Sequence, residues 1–201
     1  EENIGVAHKG FAWYEIEVFG KAAHGSRPEQ GVDAILPLRA ALVELDRIGN
    51  ELRSRPADIL LGCASLHGGK IEGGTELSMV PAYARLQWER RTLPEETSEA
   101  VDRDLDRVAR AVASLDGEHK TKVRRIFIRP PYRTPAGLDM VGRIQAASPG
   151  SRPVGLSFWA DSALLGLAGI PSVLYGPIGH GAHAVDEWVS LKSLGRVGAV
   201  L

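Results

Sequence analysis

In the first 130 residues the spacing of apolar residues changes between the pattern of a strand and that of a helix, in an order that few folds accommodate. Apolar and polar residues alternate over residues 12–19, which is the period-2 pattern of a half-buried strand. An apolar stripe at helical spacing follows, and its members are Val32, Ile35, Leu38, Leu42, Leu45, Ile48 and Leu52. Pro37 lies inside this stripe, so the helix is expected to start late or to kink there.

Two strands, a second helix and a fourth strand are predicted next. Residues 59–66 form a compact apolar run and residues 83–91 alternate again, with the glycine pairs of "GGKIEGG" predicting a hairpin turn between them. An amphipathic helix is predicted after Pro94, and a strand over residues 123–128. The order βαββαβ is typical of the ferredoxin-like split βαβ motif, a four-stranded antiparallel sheet with two helices on one face. Its other face is expected to be solvated or to meet another surface.

The remaining residues predict part of a second unit. The run "PPYRTP" over residues 130–135 reads as a linker, and helices are predicted over residues 138–147 and 161–168. A buried strand over residues 171–176, a glycine-rich loop and a last helix follow. These residues hold too few strands to close an α/β layer. Because the chain also starts without Met and stops inside an apolar run, we expect it to be a piece of a longer protein.

Composition narrows the classes of partner. Hydrophobic residues make up 44% and charged residues 24%, with a formal net charge of −1 and no Lys/Arg-rich block. This balance argues against a nucleic acid or an anionic membrane as partner and favours a small molecule or another protein. Cys63 is the only cysteine, so neither an intrachain disulfide nor a cysteine-based zinc site is expected. With no signal-peptide pattern and no apolar run of membrane-spanning length, the sequence predicts a cytoplasmic protein.

Two histidine-containing stretches are candidates for chemistry. In "GPIGHGAHAVDEW", His180 and His183 follow an apolar strand, where open α/β sheets place ligands. A metal site needs three or more ligands, and only three carboxylates lie near in sequence: Asp161, Asp186 and Glu187. The pattern alone is equally typical of a turn with incidental histidines. In "GKAAHGSRPEQG", His24 stands where a strand ends and a helix begins, without local partners.

Three long segments carry a resemblance to a known family. They are "HKGFAWYEIEVFGKAAHGSRPEQGVDAI", "IEGGTELSMVPAYARLQWERRTLP" and "SFWADSALLGLAGIPSVLYGPIGHGAHAVDEWV". Together they resemble the M20 family of zinc-dependent amidohydrolases and peptidases, which includes acetylornithine deacetylases, succinyl-diaminopimelate desuccinylases, aminoacylases and carboxypeptidases. The resemblance implies an α+β chain in which a ferredoxin-like lid, also the dimerisation domain, is inserted into an α/β catalytic domain. Residues 1–8 then end the first catalytic segment, 9–134 form the lid, and 135–201 are the C-terminal part of an incomplete catalytic domain.

The resemblance also implies roles for individual residues. His183 matches a histidine that ligates one metal ion, and His24 matches a lid histidine that reaches into the partner subunit's active site to stabilise the oxyanion. Arg91 matches an arginine that helps hold the substrate carboxylate, and the Gly179 loop matches one lying along that carboxylate. Asp161 matches a position for which we expect an orienting, substrate-binding role.

For the whole protein, the resemblance implies a homodimer through the lid with two zinc ions per subunit, cobalt or manganese being substitutes. Metal-activated water would hydrolyse an N-acyl amino acid or a dipeptide amide, and a segment before Glu1 would hold most metal ligands and the general base. Ser78 stands where many members have Asn, and Glu89 where Asp is usual, which favours a peptidase-like branch. The alternative is a non-catalytic dimerisation or binding module, and this chain alone is expected to be inactive.

Overall fold

A computed structural model describes residues 2–201, which divide into two compact units. The central unit comprises Gly10–Asp58 and Gly62–Pro130. The flanking unit comprises the described residues up to Lys9, together with Ile59–Leu61 and Pro131–Leu201. The division into domains at residues 8/9 and 134/135 stays a prediction.

The described residues form strands β1 (Ile4–His8), β2 (Gly10–Phe19), β3 (Ala23–His24), β4 (Ser65–Gly73), β5 (Met79–Val80), β6 (Tyr83–Thr92), β7 (Lys120–Arg129), β8 (Tyr132–Arg133), β9 (Pro153–Leu156), β10 (Leu174–Tyr175), β11 (Gly179–His180) and β12 (Trp188–Val189). They also form helices α1 (Leu38–Ser54), α2 (Ser98–Ala113), α3 (Asp139–Ala147), α4 (Ser162–Leu167) and α5 (Leu191–Val200). Within residues 2–201, no helix is both long and apolar enough to cross a membrane.

The central unit is the predicted ferredoxin-like motif. Its four-stranded sheet has the order β4-β6-β2-β7, and every neighbouring pair is antiparallel. This is the split βαβ arrangement, because β6 separates β2 from β4, the two strands that α1 connects. The predicted α+β fold class is confirmed.

Alternation along the strands builds the core of this unit. Ala12, Tyr14, Ile16 and Val18 of β2 are each 0% exposed, whereas Trp13 between them is 44% exposed. The apolar sides of the strands pack against the stripes of α1 and α2 in one cluster, whose helix members include Leu45, Ile48, Leu52, Val101, Val108 and Val112. Because burial of such a side chain contributes about 1.5–3 kcal/mol, this shared face holds sheet and helices together.

Helix α1 starts late, which is one of the two outcomes expected from Pro37. The helix begins at Leu38, directly after Pro37, so the apolar stripe starts six residues before the helix does. The Asp33 carboxylate accepts hydrogen bonds from the backbone amides of Ile35 and Leu36, at 2.7 and 2.9 Å, and so shapes the turn that precedes the helix.

The predicted strand over residues 59–66 is wrong. β4 starts at Ser65 and runs to Gly73, so all but the last residue of "GGKIEGG" lie within the strand, and the motif does not form a hairpin turn. Ile59 is 95% exposed. The reason is long-range pairing: the backbone of β6 pairs with the glycine-rich segment across a bulge between Gly68 and Lys70. These ladder hydrogen bonds outweigh the low strand propensity of glycine.

The sheet face away from the helices carries charge and aromatic rings. Glu15 of β2 is 1% exposed on this face, and Gln87 and Arg124 each donate to its carboxylate at 2.7 Å. Burial raises the pKa of Glu15, but these hydrogen bonds and the charges of Arg124 and Arg85 outweigh burial and leave the pKa below its usual value. The buried Glu15 carboxylate is therefore satisfied by polar partners, while Trp13 of the same strand face stays 44% exposed.

The flanking unit is built around β1. This strand pairs in parallel with β9 and antiparallel with β8 and β10. Helices α3 and α4 lie within the residues predicted for them, and α5 is the predicted last helix. The buried strand predicted over residues 171–176 is shorter: β10 has two residues, both half-buried.

Candidate functional site

The His24 segment is a compact loop that leaves the end of β2. Lys21 and Val32 exchange backbone hydrogen bonds at 2.8 and 2.9 Å, which closes the loop at its base. At its far end His24 of β3 pairs with Met79 of β5. The loop is therefore held at both ends by backbone pairing, which gives His24 a defined place although the segment holds little regular structure.

Glycines let the backbone of this loop approach its neighbours closely. A Cβ on Gly20 would lie 2.0 Å from the carbonyl oxygen of Val32, and one on Gly25 would lie 2.8 Å from that of Ser78. Both distances are too short for any side chain, so the glycines of the motif have a steric cause. Ser78 contacts the loop through its backbone oxygen, which accepts from the Gly25 amide at 2.6 Å. A contact of the Ser78 side chain across a dimer stays a prediction.

The ring of His24 is exposed and contacts Ser26. Its Nδ1 atom lies 2.8 Å from the Ser26 hydroxyl, and the backbone amide of Ser26 donates to the same atom at 3.2 Å. The ring is thus held on one side by the loop while its other side faces outward.

Arg91 lies on the open face of the sheet. Its Nε donates to Glu89 at 2.6 Å, and its guanidinium lies 5.3 Å from the ring centroid of Phe11. The indole of Trp13 donates to the second oxygen of Glu89 at 2.8 Å. Glu89 thus orients the Arg91 side chain. The Arg91 side chain is 31% exposed, so part of its guanidinium is accessible to a ligand.

The neighbouring Arg90 points to the opposite side of the sheet. Its side chain is 1% exposed, and its Nε donates to Asp104 at 3.1 Å while Nη2 donates to Glu96 at 2.5 Å. Strand alternation therefore separates two adjacent arginines into a buried ion pair and an accessible cation.

His24 and Arg91 lie at opposite ends of the central unit. Phe11 of β2 pairs with Arg91, whereas Phe19 pairs with Tyr83 at the end from which the His24 loop departs. At about 3.3 Å per residue, the eight steps along β2 from Phe11 to Phe19 place roughly 26 Å between these rows. One copy of this unit does not bring the two predicted site residues together.

The other predicted site residues lie in the flanking unit. Asp161 is exposed at the N-cap of α4, without a side-chain capping hydrogen bond. Gly179 lies in β11, where a Cβ would come within 2.7 Å of the Trp188 carbonyl of β12. His183 lies in the loop between β11 and β12, exposed and with a φ of 68°.

The backbone at His183 is strained. A positive φ costs a non-glycine residue about 1–2 kcal/mol, although histidine adopts this region more often than most residues do. The loop keeps this conformation through a 2.7 Å hydrogen bond from the Ala184 amide to the Gly181 carbonyl. Such an outlier at a histidine supports a functional reason for its presence.

Ser193 anchors the strand that carries Gly179. Its buried hydroxyl accepts from the amide of Ile178 at 2.8 Å and donates to Glu2 at 2.5 Å. Arg196 and Ser193 hold the Glu2 carboxylate by hydrogen bonds, which lower its pKa to about 2. The charged carboxylate therefore persists at neutral pH and keeps α5 tied to the loop before Gly179.

The residues present do not form a metal site by themselves. Among residues 2–201, no group of three or more His, Cys, Asp or Glu side chains is gathered as a metal site requires. His183 is the one predicted ligand, and its neighbours do not complete a coordination sphere.

Sequence reasoning missed Ser26, Glu89 and Trp13 as partners of the predicted site residues. For Ser26 the signal is local, because a hydroxyl two residues after a histidine in a tight loop can reach its ring. For Trp13 no local signal exists, since it meets Glu89 only through the register of β2 with β6.

Comparison with known proteins shows a family match and similar proteins over much of the chain. Residues 6–116 match the model of the M20 peptidase dimerisation domain. The chain is 26% identical over 198 residues to an acetylornithine deacetylase of Myxococcus xanthus, covering 97% of this chain and 52% of the relative. It is 28% identical over 142 residues to a probable carboxypeptidase of Uncinocarpus reesii, covering 69% and 31%.

Among solved structures, aminopeptidase PepT of Bacillus cereus has a similar fold. The TM-score is 0.72 at 21% identity, over 98% of this chain and 52% of PepT. The chain spans about half the length of this enzyme and of the acetylornithine deacetylase.

Proposed function

The chain belongs to the M20 peptidase family through its dimerisation domain, and on this premise we propose that the whole protein hydrolyses an amide bond. The substrate class that we propose is an N-acyl amino acid or a dipeptide. The names of two relatives, acetylornithine deacetylase and probable carboxypeptidase, support this class.

The placement of His24 and Arg91 carries the proposal that two subunits build each site. Their rows are separated by roughly 26 Å along β2, whereas a small amide substrate extends over only a few residues' length. If both side chains contact one substrate, they come from different copies of the central unit. The alternative is a site made by one copy, in which either His24 or Arg91 would not contact the substrate.

We assign His24 the role of hydrogen-bond donor to the oxyanion. Amide hydrolysis develops negative charge on the carbonyl oxygen, and a donor aimed at that oxygen lowers the barrier. The exposed ring on a loop held at both ends by backbone pairing suits this task. Loss of one such donor lowers kcat by about 10²–10³.

Arg91 is assigned to the substrate carboxylate. A guanidinium held by Glu89 through Nε keeps other N–H groups available for a carboxylate. In the flanking unit, Gly179 and its loop are proposed to lie along the same carboxylate, and Asp161 is proposed to help orient the substrate.

Zinc, two ions per subunit, is the proposed cofactor of the whole protein. When bound, such ions supply an activated water and a Lewis acid. His183 is the ligand that we assign to this chain. The described residues hold no complete metal site, so the remaining ligands are proposed to lie outside them.

Self-association is proposed to occur through β4. Both β4 and β7 are edge strands of the central sheet, but they differ in charge. β7 carries five cations, Lys120, Lys122, Arg124, Arg125 and Arg129. Arg124 and Arg125 are balanced by Glu15 and Asp102, but β7 itself has no acidic residue, and this excess of positive charge opposes pairing with a second copy. β4 carries one lysine and one glutamate, and Ile71 on it is 56% exposed. Two copies of β4 can pair without charge repulsion, which makes it the favoured edge.

The second candidate is a non-catalytic dimerisation module, and it applies to this chain taken alone. The match of residues 6–116 to a dimerisation domain supports it. The lack of a metal-ligand cluster among residues 2–201 also favours this role over independent catalysis.

The test is a comparison of histidine variants in the full-length protein, assayed on N-acetyl amino acids and dipeptides with zinc supplied. His24→Ala is expected to lower kcat by about 10²–10³ at unchanged zinc content. His119→Ala is the matched control, because its ring hydrogen-bonds the Val112 carbonyl of α2 at 3.3 Å and has no proposed role in the site. Unchanged turnover of His24→Ala would refute the oxyanion role, and a protein that hydrolyses none of these amides would refute the proposed activity.

A further inference from the structure

The two contacts that Ser26 makes with His24 determine where the ring can carry its proton. A backbone amide can only donate, so the 3.2 Å hydrogen bond from the Ser26 N–H requires that Nδ1 of His24 accept. A neutral imidazole has one accepting and one donating nitrogen. If Nδ1 accepts, the proton lies on Nε2.

The hydroxyl of Ser26 reinforces the same state. It lies 2.8 Å from Nδ1 and can rotate its own proton toward that atom. A proton on Nδ1 could be accepted by the hydroxyl oxygen, but it would face the amide proton of the same residue. With the proton on Nε2, the lone pair of Nδ1 accepts from the Ser26 amide and can be shared with the hydroxyl. With the proton on Nδ1, the hydroxyl oxygen can accept it, but the Ser26 amide loses its acceptor, so the amide selects the Nε2–H tautomer.

We infer that Ser26 is a positioning residue that holds His24 in the Nε2–H tautomer and directs this N–H outward. The inference rests on the proposed function in one respect: an oxyanion donor needs a proton on the exposed nitrogen. The loop meets that need with groups two residues away in sequence. Both positioning groups move with the ring, so a lid that closes on a substrate would deliver the donor already oriented.

The tautomer is measured directly by long-range ¹H–¹⁵N correlation spectra of the histidine rings at about pH 9, where imidazoles are neutral. His24→Ala assigns the resonances. The same protein unfolded in urea gives the ratio of tautomers without the Ser26 contacts. We expect the ratio of the Nε2–H to the Nδ1–H form to be at least about fivefold higher in the folded than in the unfolded protein. This is the factor by which one neutral hydrogen bond shifts an equilibrium.

Two substitutions separate positioning from structure. Ser26→Ala removes the hydroxyl but retains the amide, which still selects an accepting Nδ1, so a partial loss of this preference, smaller than about fivefold, is expected. Ser26→Thr retains the hydroxyl and should restore the spectrum of the unmodified protein. In the full-length enzyme, Ser26→Ala should lower kcat by less than about fivefold with KM unchanged, and Ser26→Thr should restore kcat.

The outcomes distinguish this inference from the proposed function. Equal ratios in folded and unfolded protein, or enrichment of the Nδ1–H form on folding, would overturn the positioning role whatever the enzyme's activity. A Ser26→Ala spectrum identical to that of the unmodified protein would overturn the contribution of the hydroxyl. The expected spectra together with unchanged turnover of His24→Ala would support the positioning and refute only the oxyanion role.

Discussion

The adjacent arginines of β6, Arg90 and Arg91, test whether the buried one stabilises the fold and the accessible one binds substrate. Arg90→Met leaves Asp104, which is 5% exposed, without the guanidinium that donates to it at 3.1 Å. Breaking a buried ion pair costs about 3–5 kcal/mol. Glu96 retains other partners, the Leu93 amide at 2.9 Å and Arg55 at 3.6 Å, so we expect the lower end, about 3 kcal/mol.

Arg91→Met is the matched control. This side chain is 31% exposed, and its loss removes a surface ion pair with Glu89 and a contact with the ring of Phe11. Interactions of this kind contribute about 1 kcal/mol. The two substitutions should therefore differ by about 2 kcal/mol in the free energy of unfolding, and in the full-length enzyme Arg91→Met should instead raise KM.

The assay is urea unfolding followed by circular dichroism and by tryptophan fluorescence, to which the buried Trp88 contributes. Burial already raises the pKa of Asp104, against the opposing effect of Arg90. Without Arg90 that pKa rises further, so the folded variant binds the proton more tightly than the unfolded chain. This favourable contribution is present at low pH and is lost as pH rises through the raised pKa. The penalty of Arg90→Met should be smaller near pH 4.5 than near pH 8.

The double variant Arg90→Met/Asp104→Leu completes the cycle. Replacing both charges with apolar side chains removes the unpaired carboxylate, so the double variant should lie within about 1 kcal/mol of the unmodified protein. Equal losses for Arg90→Met and Arg91→Met would refute the reasoning, as would additive losses in the double variant.

Two further predictions concern the flanking unit and the sheet edge. His8 is 0% exposed and its pKa is lowered by burial, so stability should fall as pH drops below about 6.5. Thermal unfolding between about pH 8 and 5.5 should show this loss of stability, and His8→Gln should remove it. The same pH dependence in His8→Gln would contradict the role of His8. Light scattering should find Ile71→Lys on β4 mostly monomeric and Ile126→Lys on β7 dimeric, and equal masses for the two variants would argue against pairing through β4.

Local patterns were sufficient where the physical cause is local. The late start of α1 follows from Pro37, whose ring excludes a preceding helical turn. The alternation of β2 separates Tyr14 from Trp13 because successive side chains of a strand point to opposite faces. These effects act within a few residues and are readable without any partner.

Local patterns failed where a distant strand decides. β4 contains three glycines and is followed by a fourth, Gly74, so its sequence is typical of a turn. Pairing with β6 makes it a strand, and the bulge after Gly68 adjusts its register. The more apolar residues 59–64, in contrast, form turns and an isolated bridge between Asp58 and Gly62. In β4, hydrogen-bond pairing with a strand distant in sequence outweighs the low strand propensity of its residues.

The sequence by itself determined the βαββαβ order, the apolar faces and, through its resemblance, the identity of His24 as a candidate donor, because periodicity and motif spacing are properties of neighbouring residues. Only the tertiary structure decided that Arg90 is buried while Arg91 is accessible, that Trp13 reaches Glu89, and that His24 and Arg91 lie at opposite ends of β2. These facts depend on strand register and on which face the helices cover. Register arises from pairing between residues far apart in sequence, so it is set only when the whole unit packs.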